Sequence, residues 1–151
     1  MNEGQTILMV DDCEDDLSLM RHAFKKAKCD HPLQEVRNGE EAIAYLSGES
    51  PFRDRKIFPL PIVVLLDLNM PKKNGYDVLT WVRAQPNLKR LAIFVLTASL
   101  RNEDVERGFY LGANSYLHKP SNLETLATMM RCVCDWIQIN HFPLIHEEAR
   151  K

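Results

Sequence analysis

The chain has 151 residues, of which 45% are hydrophobic and 26% charged, with a formal net charge of -2. That length builds one compact domain with a single sizeable core, and the near-neutral balance lacks the basic footprint of a nucleic-acid binder. No apolar stretch is long enough to span a bilayer, and Met1-Asn2-Glu3-Gly4-Gln5 lacks the regions of a signal peptide, so a cytoplasmic protein away from membranes is expected.

Thr6-Ile7-Leu8-Met9-Val10 reads as a first strand that runs into Asp11-Asp12. Leu17, Met20, Phe24 and Ala27 then recur at helical spacing. Glu14, Asp15 and Asp16 fill the first turn and Lys25, Lys26 and Lys28 the last, which suits the helix dipole. A short second strand covers 33–36, Asn38-Gly39 makes a turn, and a second helix covers 40–46. The stretch 47–61 carries Gly48, Pro51, Pro59 and Pro61 and is a long loop for a compact domain. Ile62-Val63-Val64-Leu65-Leu66 follows, five aliphatic residues typical of a strand buried on both faces, and it ends at Asp67.

A third helix covers 75–84. Ala92-Ile93-Phe94-Val95-Leu96 is a fourth strand that ends at Thr97. Asn102 caps a fourth helix that stops at Gly112. Ser115-Tyr116-Leu117-His118 is a fifth strand ending at Lys119-Pro120. Ser121-Asn122-Leu123-Glu124 reads as a capping box that opens a fifth helix to about Asn140. The tail 141–151 is polar and expected to be mobile. Strands alternating with helices imply a parallel sheet covered on both faces. The four cysteines, Cys13, Cys29, Cys132 and Cys134, have no metal spacing and read as reduced structural thiols.

The strand ends carry the chemistry. Open α/β sheets place their sites at the carboxyl edge, where Asp11, Asp12, Asp67, Thr97 and Lys119 would converge. Two carboxylates about 4 Å apart repel by roughly 4 kcal/mol at an effective dielectric near 20, so such a cluster protonates or binds a cation. All-oxygen ligation with room for water suits Mg²⁺. An aspartate is also a nucleophile toward phosphoryl groups. Lys119 supplies a point charge and Thr97 a hydrogen bond, which is what phosphoryl transfer requires.

The acidic pair Asp11-Asp12, Asp67-Leu68-Asn69-Met70-Pro71, Thr97-Ala98 and Tyr116-Leu117-His118-Lys119-Pro120 resemble the motifs of response-regulator receiver domains of two-component signalling. The resemblance covers about 5–140. It implies a flavodoxin-like, doubly wound, five-stranded parallel sheet in the order 2-1-3-4-5 with five helices, and one receiver domain over 1–151. It implies that Asp67 is the phosphoacceptor for a sensor histidine kinase, and that the protein is a switch and not an enzyme apart from catalysing its own phosphorylation and dephosphorylation. Asp11, Asp12, Asp67 and the Asn69 carbonyl would hold Mg²⁺. Thr97 and Lys119 would hold the phosphoryl group, Tyr116 would be the rotamer switch, and the Lys119-Pro120 bond would be cis. The loop 47–61, the run Leu66 through Gly75, and Trp136 followed by Phe142-Pro143 also resemble stand-alone regulators paired with phytochromes.

Two other readings compete. A haloacid-dehalogenase-type phosphatase uses the same residue types, but its nucleophile comes first in the chain within an Asp-x-Asp motif. Here the acidic pair comes first and position 69 is Asn. A receiver-like binding module that is never phosphorylated would not need the complete set.

The fifth helix carries two apolar stripes. Leu123, Leu126, Met130, Val133 and Ile137 form one, and Met129, Cys132, Trp136 and Ile139 the other. One stripe suffices to pack on a sheet, so the second is expected to form an isologous homodimer interface together with the fourth helix. Cover by the loop 47–61 or by the tail is the alternative.

Overall fold

A computed structural model describes residues 5–145. The segments 1–4 and 146–151 lie outside the described residues, and with them the end of the expected mobile tail. The elements run β1 (Ile7–Val10), α1 (Glu14–Lys26), β2 (Leu33–Val36), α2 (Gly39–Ser47), β3 (Val63–Leu66), α3 (Gly75–Ala84), β4 (Ala92–Thr97), α4 (Asn102–Tyr110), β5 (Ser115–His118) and α5 (Leu123–Ile139). All strand pairs are parallel, and the sheet order is β2-β1-β3-β4-β5. This is the flavodoxin-like arrangement.

The central strands β1, β3 and β4 are buried along their whole length, so their aliphatic runs show no polar alternation. Successive residues of each strand nevertheless serve opposite faces. Leu8, Val10, Val64, Leu66, Ile93 and Val95 pack with α2 and α3. Ile7, Met9, Val63, Leu65, Phe94 and Leu96 pack with α1 and α5. Each such side chain, fully buried, stabilises the fold by about 1.5–3 kcal/mol before ordering costs are counted. The strands β2 and β5 are the sheet edges and are only partly buried.

Several local expectations are corrected. The N-cap of α5 is Asn122, which accepts from the Thr125 N–H, so the Ser121-to-Glu124 capping box does not form. Both Ser and Asn cap well, and the helix starts one residue later than the box requires. Asn102 is the first residue of α4 and not its cap. A reciprocal capping box occurs at α3 instead, between Asn74 and Asp77. The Lys119-Pro120 bond is trans, the ordinary ground state, and the cis bond among the described residues is Ser50-Pro51. Cys29 and Cys134 form a disulfide between the segment after α1 and α5, in place of four reduced thiols. Their separation of 105 residues gave the sequence no sign of the pairing. The first residues of the tail pack onto the domain: Phe142 stacks edge-on against Trp136.

Candidate functional site

Register brings the site together. Val10 pairs with Leu66, so the next residues, Asp11 and Asp67, leave the sheet side by side. The Asp67 N–H donates to the Val10 carbonyl at 3.0 Å. On the other side Thr97 ends β4, and the Lys119 N–H donates to its carbonyl at 2.8 Å, which fixes where the lysine leaves β5. Gly75 completes the geometry from below. Its N–H donates to the Leu68 carbonyl at 3.0 Å. A Cβ at this position would lie 2.4 Å from the Asp67 carbonyl oxygen, so only glycine lets α3 start this close to Asp67.

Asp11, Asp12 and Asp67 each offer a carboxylate oxygen, and these atoms lie within 4.8 Å of one another. A hard divalent cation with oxygen bonds of about 2.1 Å fits that span with modest closure. Asp11 is 1% exposed, Asp67 is buried, and Asp12 sits exposed at the mouth. Asn69 is exposed on the turn two residues after Asp67. The Asp11 Oδ1 accepts from the Cys13 N–H at 3.0 Å, and the Asp67 Oδ1 accepts from the Leu68 N–H at 2.8 Å.

Lys119 is the counter-charge. Its Nζ lies 2.6 Å from Asp11, 2.7 Å from Asp16 and 3.5 Å from Asp67. Burial alone would depress this ammonium's pKa, but hydrogen bonds to Asp11 and Asp16 and the charge of Asp67 outweigh it, and the pKa is raised. Burial raises the Asp11 carboxyl above its ordinary range, against the opposing pull of Lys119 and the Cys13 N–H. Three carboxylates therefore share one ammonium, and the Asp12 carboxylate lies close to two of them. Beside them, the Thr97 hydroxyl is fully buried with no hydrogen-bond partner among the described residues. A buried hydroxyl without a partner is costly and points to a ligand oxygen.

Tyr116 sits half-buried on β5, and its hydroxyl donates to the Ser99 carbonyl at 3.0 Å. Gly108 of α4 leaves room for the ring, since a Cβ there would come within 3.3 Å of it. Two residues at or near the site carry no signal of it in the sequence: Asp16, which reads as a helix-dipole acid, and Asp104. Asp104 accepts from Tyr76 and Ser99 on the segment that follows Thr97, and both bonds depress its pKa, Ser99 more strongly.

The second stripe of α5 is unevenly covered. Trp136 is half-buried between Phe94, with ring centroids 4.9 Å apart, and Phe142, at 5.3 Å. Met129 is half-buried, while Cys132 is exposed and Ile139 is 77% exposed. A groove of about 470 Å³ between β5 and α5 is lined by Phe94, Leu117, Met129, Cys132 and Trp136.

Comparison with known proteins gives one answer. Residues 7–131 match the response regulator receiver domain family. The response regulator Rcp1 of Synechocystis sp. is 37% identical over 130 residues, covering 86% of each chain. Among solved structures, the phosphorylated cyanobacterial phytochrome response regulator RcpA superposes with a TM-score of 0.84 at 31% identity, covering 92% of this chain and 98% of that one. The Mn²⁺-bound form of Rcp1 superposes with a TM-score of 0.80 at 35% identity, covering 92% and 99%.

Proposed function

The chain belongs to the response regulator receiver family, whose members are phosphorylation-controlled switches of two-component signalling, and from that premise we propose that Asp67 is its phosphoacceptor. The observation that carries the assignment is the convergence of three carboxylates, one ammonium and one orphaned hydroxyl around that aspartate. In the forward step an Asp67 carboxylate oxygen attacks phosphorus, the phosphorus–nitrogen bond of a kinase phosphohistidine breaks, and an acyl phosphate forms. In the return step water attacks the same phosphorus, releasing phosphate and the free carboxylate.

Each residue has a task in this reading. Lys119 and the Thr97 hydroxyl take oxygens of the transferred group. Asp11, Asp12, Asp67 and the Asn69 carbonyl would hold Mg²⁺, as the acidic cluster and the Mn²⁺-bound relative support. The cation supplies neutralisation of the negative charge that develops on the phosphoryl oxygens. Tyr116 reports the change at Thr97 to the surface formed by α4, β5 and α5. The test is acetyl phosphate with Mg²⁺: a mass increase of one phosphoryl group is expected, and it should vanish when the metal is chelated.

The partner is a sensor histidine kinase, and the kinship with Rcp1 and RcpA supports one of the phytochrome type. The reading takes the chain as one receiver domain working in the cytoplasm, away from membranes and nucleic acid; no helix among the described residues is long and apolar enough to cross a membrane. Output then goes through protein contact. The exposed residues Cys132 and Ile139, beside Met129 and Trp136, support a homodimer through α4 and α5. Trp136→Glu should convert a dimer to a monomer in sedimentation, and a wild-type protein that stays monomeric at micromolar concentration, phosphorylated or not, removes this part of the reading.

A further inference from the structure

The turn that carries Asn69 is held from outside by a second helix. At its base the Gly75 N–H closes on the Leu68 carbonyl at 3.0 Å, and Leu68 and Met70 are buried in the same core as α2 and α3. Its crown, Asn69, Pro71, Lys72 and Lys73, is exposed. From α2 the Gly39 N–H donates to the Lys73 carbonyl at 2.9 Å, and the Glu40 N–H donates to the Lys72 carbonyl at 3.1 Å. These are the first two N–H groups of α2, which have no acceptor within their own helix. The third, from Glu41, goes to the Asn38 side chain at 2.8 Å.

Two features show how closely the turn is fitted to that helix. Lys72 and Lys73 both have positive φ, 50° and 68°, in the left-handed region that side chains disfavour, and such residues persist where surrounding contacts fix them. A Cβ at Gly39 would overlap the Lys73 carbonyl oxygen and come within 2.7 Å of its carbon, so only glycine lets α2 begin this close to the turn. The turn is therefore set between two anchors, Gly75 at its base and the start of α2 at its crown, with Asn69 in the stretch that joins them. We propose that Gly39, with the Glu40 N–H, is a positioning residue for the cation: through the Lys72 and Lys73 carbonyls it fixes the turn whose Asn69 carbonyl completes the metal site. The inference rests on the reading of Asp11, Asp12, Asp67 and Asn69 as cation ligands.

The competing account is that the two bonds only cap α2. A cap stabilises its helix whether or not a cation is bound, so its loss lowers the melting temperature alone. A positioning contact also sets how well a ligand oxygen is presented, and the groups that orient a metal's ligands govern its affinity. The two accounts part at the metal. The three carboxylates follow β1 and β3, and neither Gly39 nor Glu40 is among them. A change in Mg²⁺ affinity after substitution of these residues is then carried by the turn, once the charge of the exposed Glu40 side chain is controlled for.

The experiment is a calorimetric titration of Mg²⁺ into the full chain. Gly39→Ala should weaken Mg²⁺ binding about tenfold. Glu40→Pro removes the N–H at a position in the first helical turn, where proline is tolerated; it should weaken binding about threefold, and it serves if Gly39→Ala fails to fold. Glu40→Gln, which removes the same charge and keeps the N–H, should bind as wild type does. So should Arg55→Ala, which loosens the opposite end of α2 by freeing the Tyr45 and Leu46 carbonyls. Folded Gly39→Ala and Glu40→Pro proteins that melt at lower temperature yet bind Mg²⁺ as wild type does would overturn the positioning role. A Glu40→Gln protein that loses as much affinity as Glu40→Pro would overturn the part assigned to the Glu40 N–H. A wild-type protein that binds no Mg²⁺ would overturn the cation reading, and the positioning role with it.

Discussion

The connection from α2 to β3 and the carboxyl edge of the sheet both draw charge out of water, and they treat it in opposite ways. In the connection, the half-buried Arg55 guanidinium donates to the carbonyls of Tyr45 at 2.8 Å, Phe58 at 3.0 Å and Leu46 at 3.1 Å. Around it Tyr45, Phe52 and Phe58 pack ring against ring. There the charge satisfies the last carbonyls of a helix and closes a loop. At the sheet edge three carboxylates pair with one ammonium beside a fourth, Asp12, and a buried hydroxyl has no partner among the described residues. A region whose polar groups are all matched is built for stability. A region left with surplus negative charge and an orphaned donor is suited to receive a ligand, and in the proposed reading a cation with a phosphoryl group supplies what is missing.

This contrast can be broken most decisively at Asp67. Asp67→Asn keeps the shape and should lose the whole mass increase from acetyl phosphate, with an unchanged circular dichroism spectrum. Full labelling of the variant would place the acceptor elsewhere. Asp12→Ala should weaken Mg²⁺ binding at least about tenfold, read by calorimetry. It should raise the melting temperature of the metal-free protein, because it relieves repulsion among three carboxylates. A rise in melting temperature on adding Mg²⁺ that matches wild type would show that Asp12 is not a ligand.

The opposite region sharpens the comparison. Arg55→Ala leaves three carbonyls short of a charged donor and should cost about 2 kcal/mol in chemical denaturation. Phosphorylation by acetyl phosphate should proceed at the wild-type rate. A large loss of labelling in a folded Arg55→Ala would mean that the two regions are not separable.

The smallest effect concerns Asp104. Its pKa is depressed below 3.8 in the folded protein by the bonds from Ser99 and Tyr76. A depressed carboxyl contributes stability that is present above its unfolded pKa and is lost as pH falls through the folded value. Wild type should therefore be more stable than Asp104→Ala near neutral pH, and the gap should narrow as pH falls below about 3.8, its ordinary pKa. A gap that is constant with pH would show that the carboxylate charge is not what stabilises this turn.

How much of this was legible in the sequence follows from the range of the forces involved. The strands β2 and β5 and the helix α3 have the bounds expected from the sequence, because apolar runs and turn residues are local signals. The convergence at Asp67 was legible because aliphatic strands that each end in a polar residue share one edge of a parallel sheet. Helix starts were less so. Asn102 and Ser121 are sound caps by type, yet the chain enters α4 from Arg101 and α5 from Asn122. Contacts that join distant residues left no trace. Asp16 meets Lys119 across 103 residues, Cys29 meets Cys134 across 105, and Tyr76 meets Asp104 across 28. Phe142, placed in a polar tail, packs against Trp136 because a half-exposed indole offers it apolar surface.

The most direct test of the central claim is chemical mapping of the phosphoryl group. The protein is treated with acetyl phosphate and Mg²⁺ and then with borohydride, which reduces an acyl phosphate to an alcohol and so converts the acceptor aspartate to homoserine. Peptide mass spectrometry should find homoserine at position 67 and no other converted aspartate. Conversion at Asp11, Asp12 or Asp16, or no conversion under conditions that label a known receiver, would contradict the account.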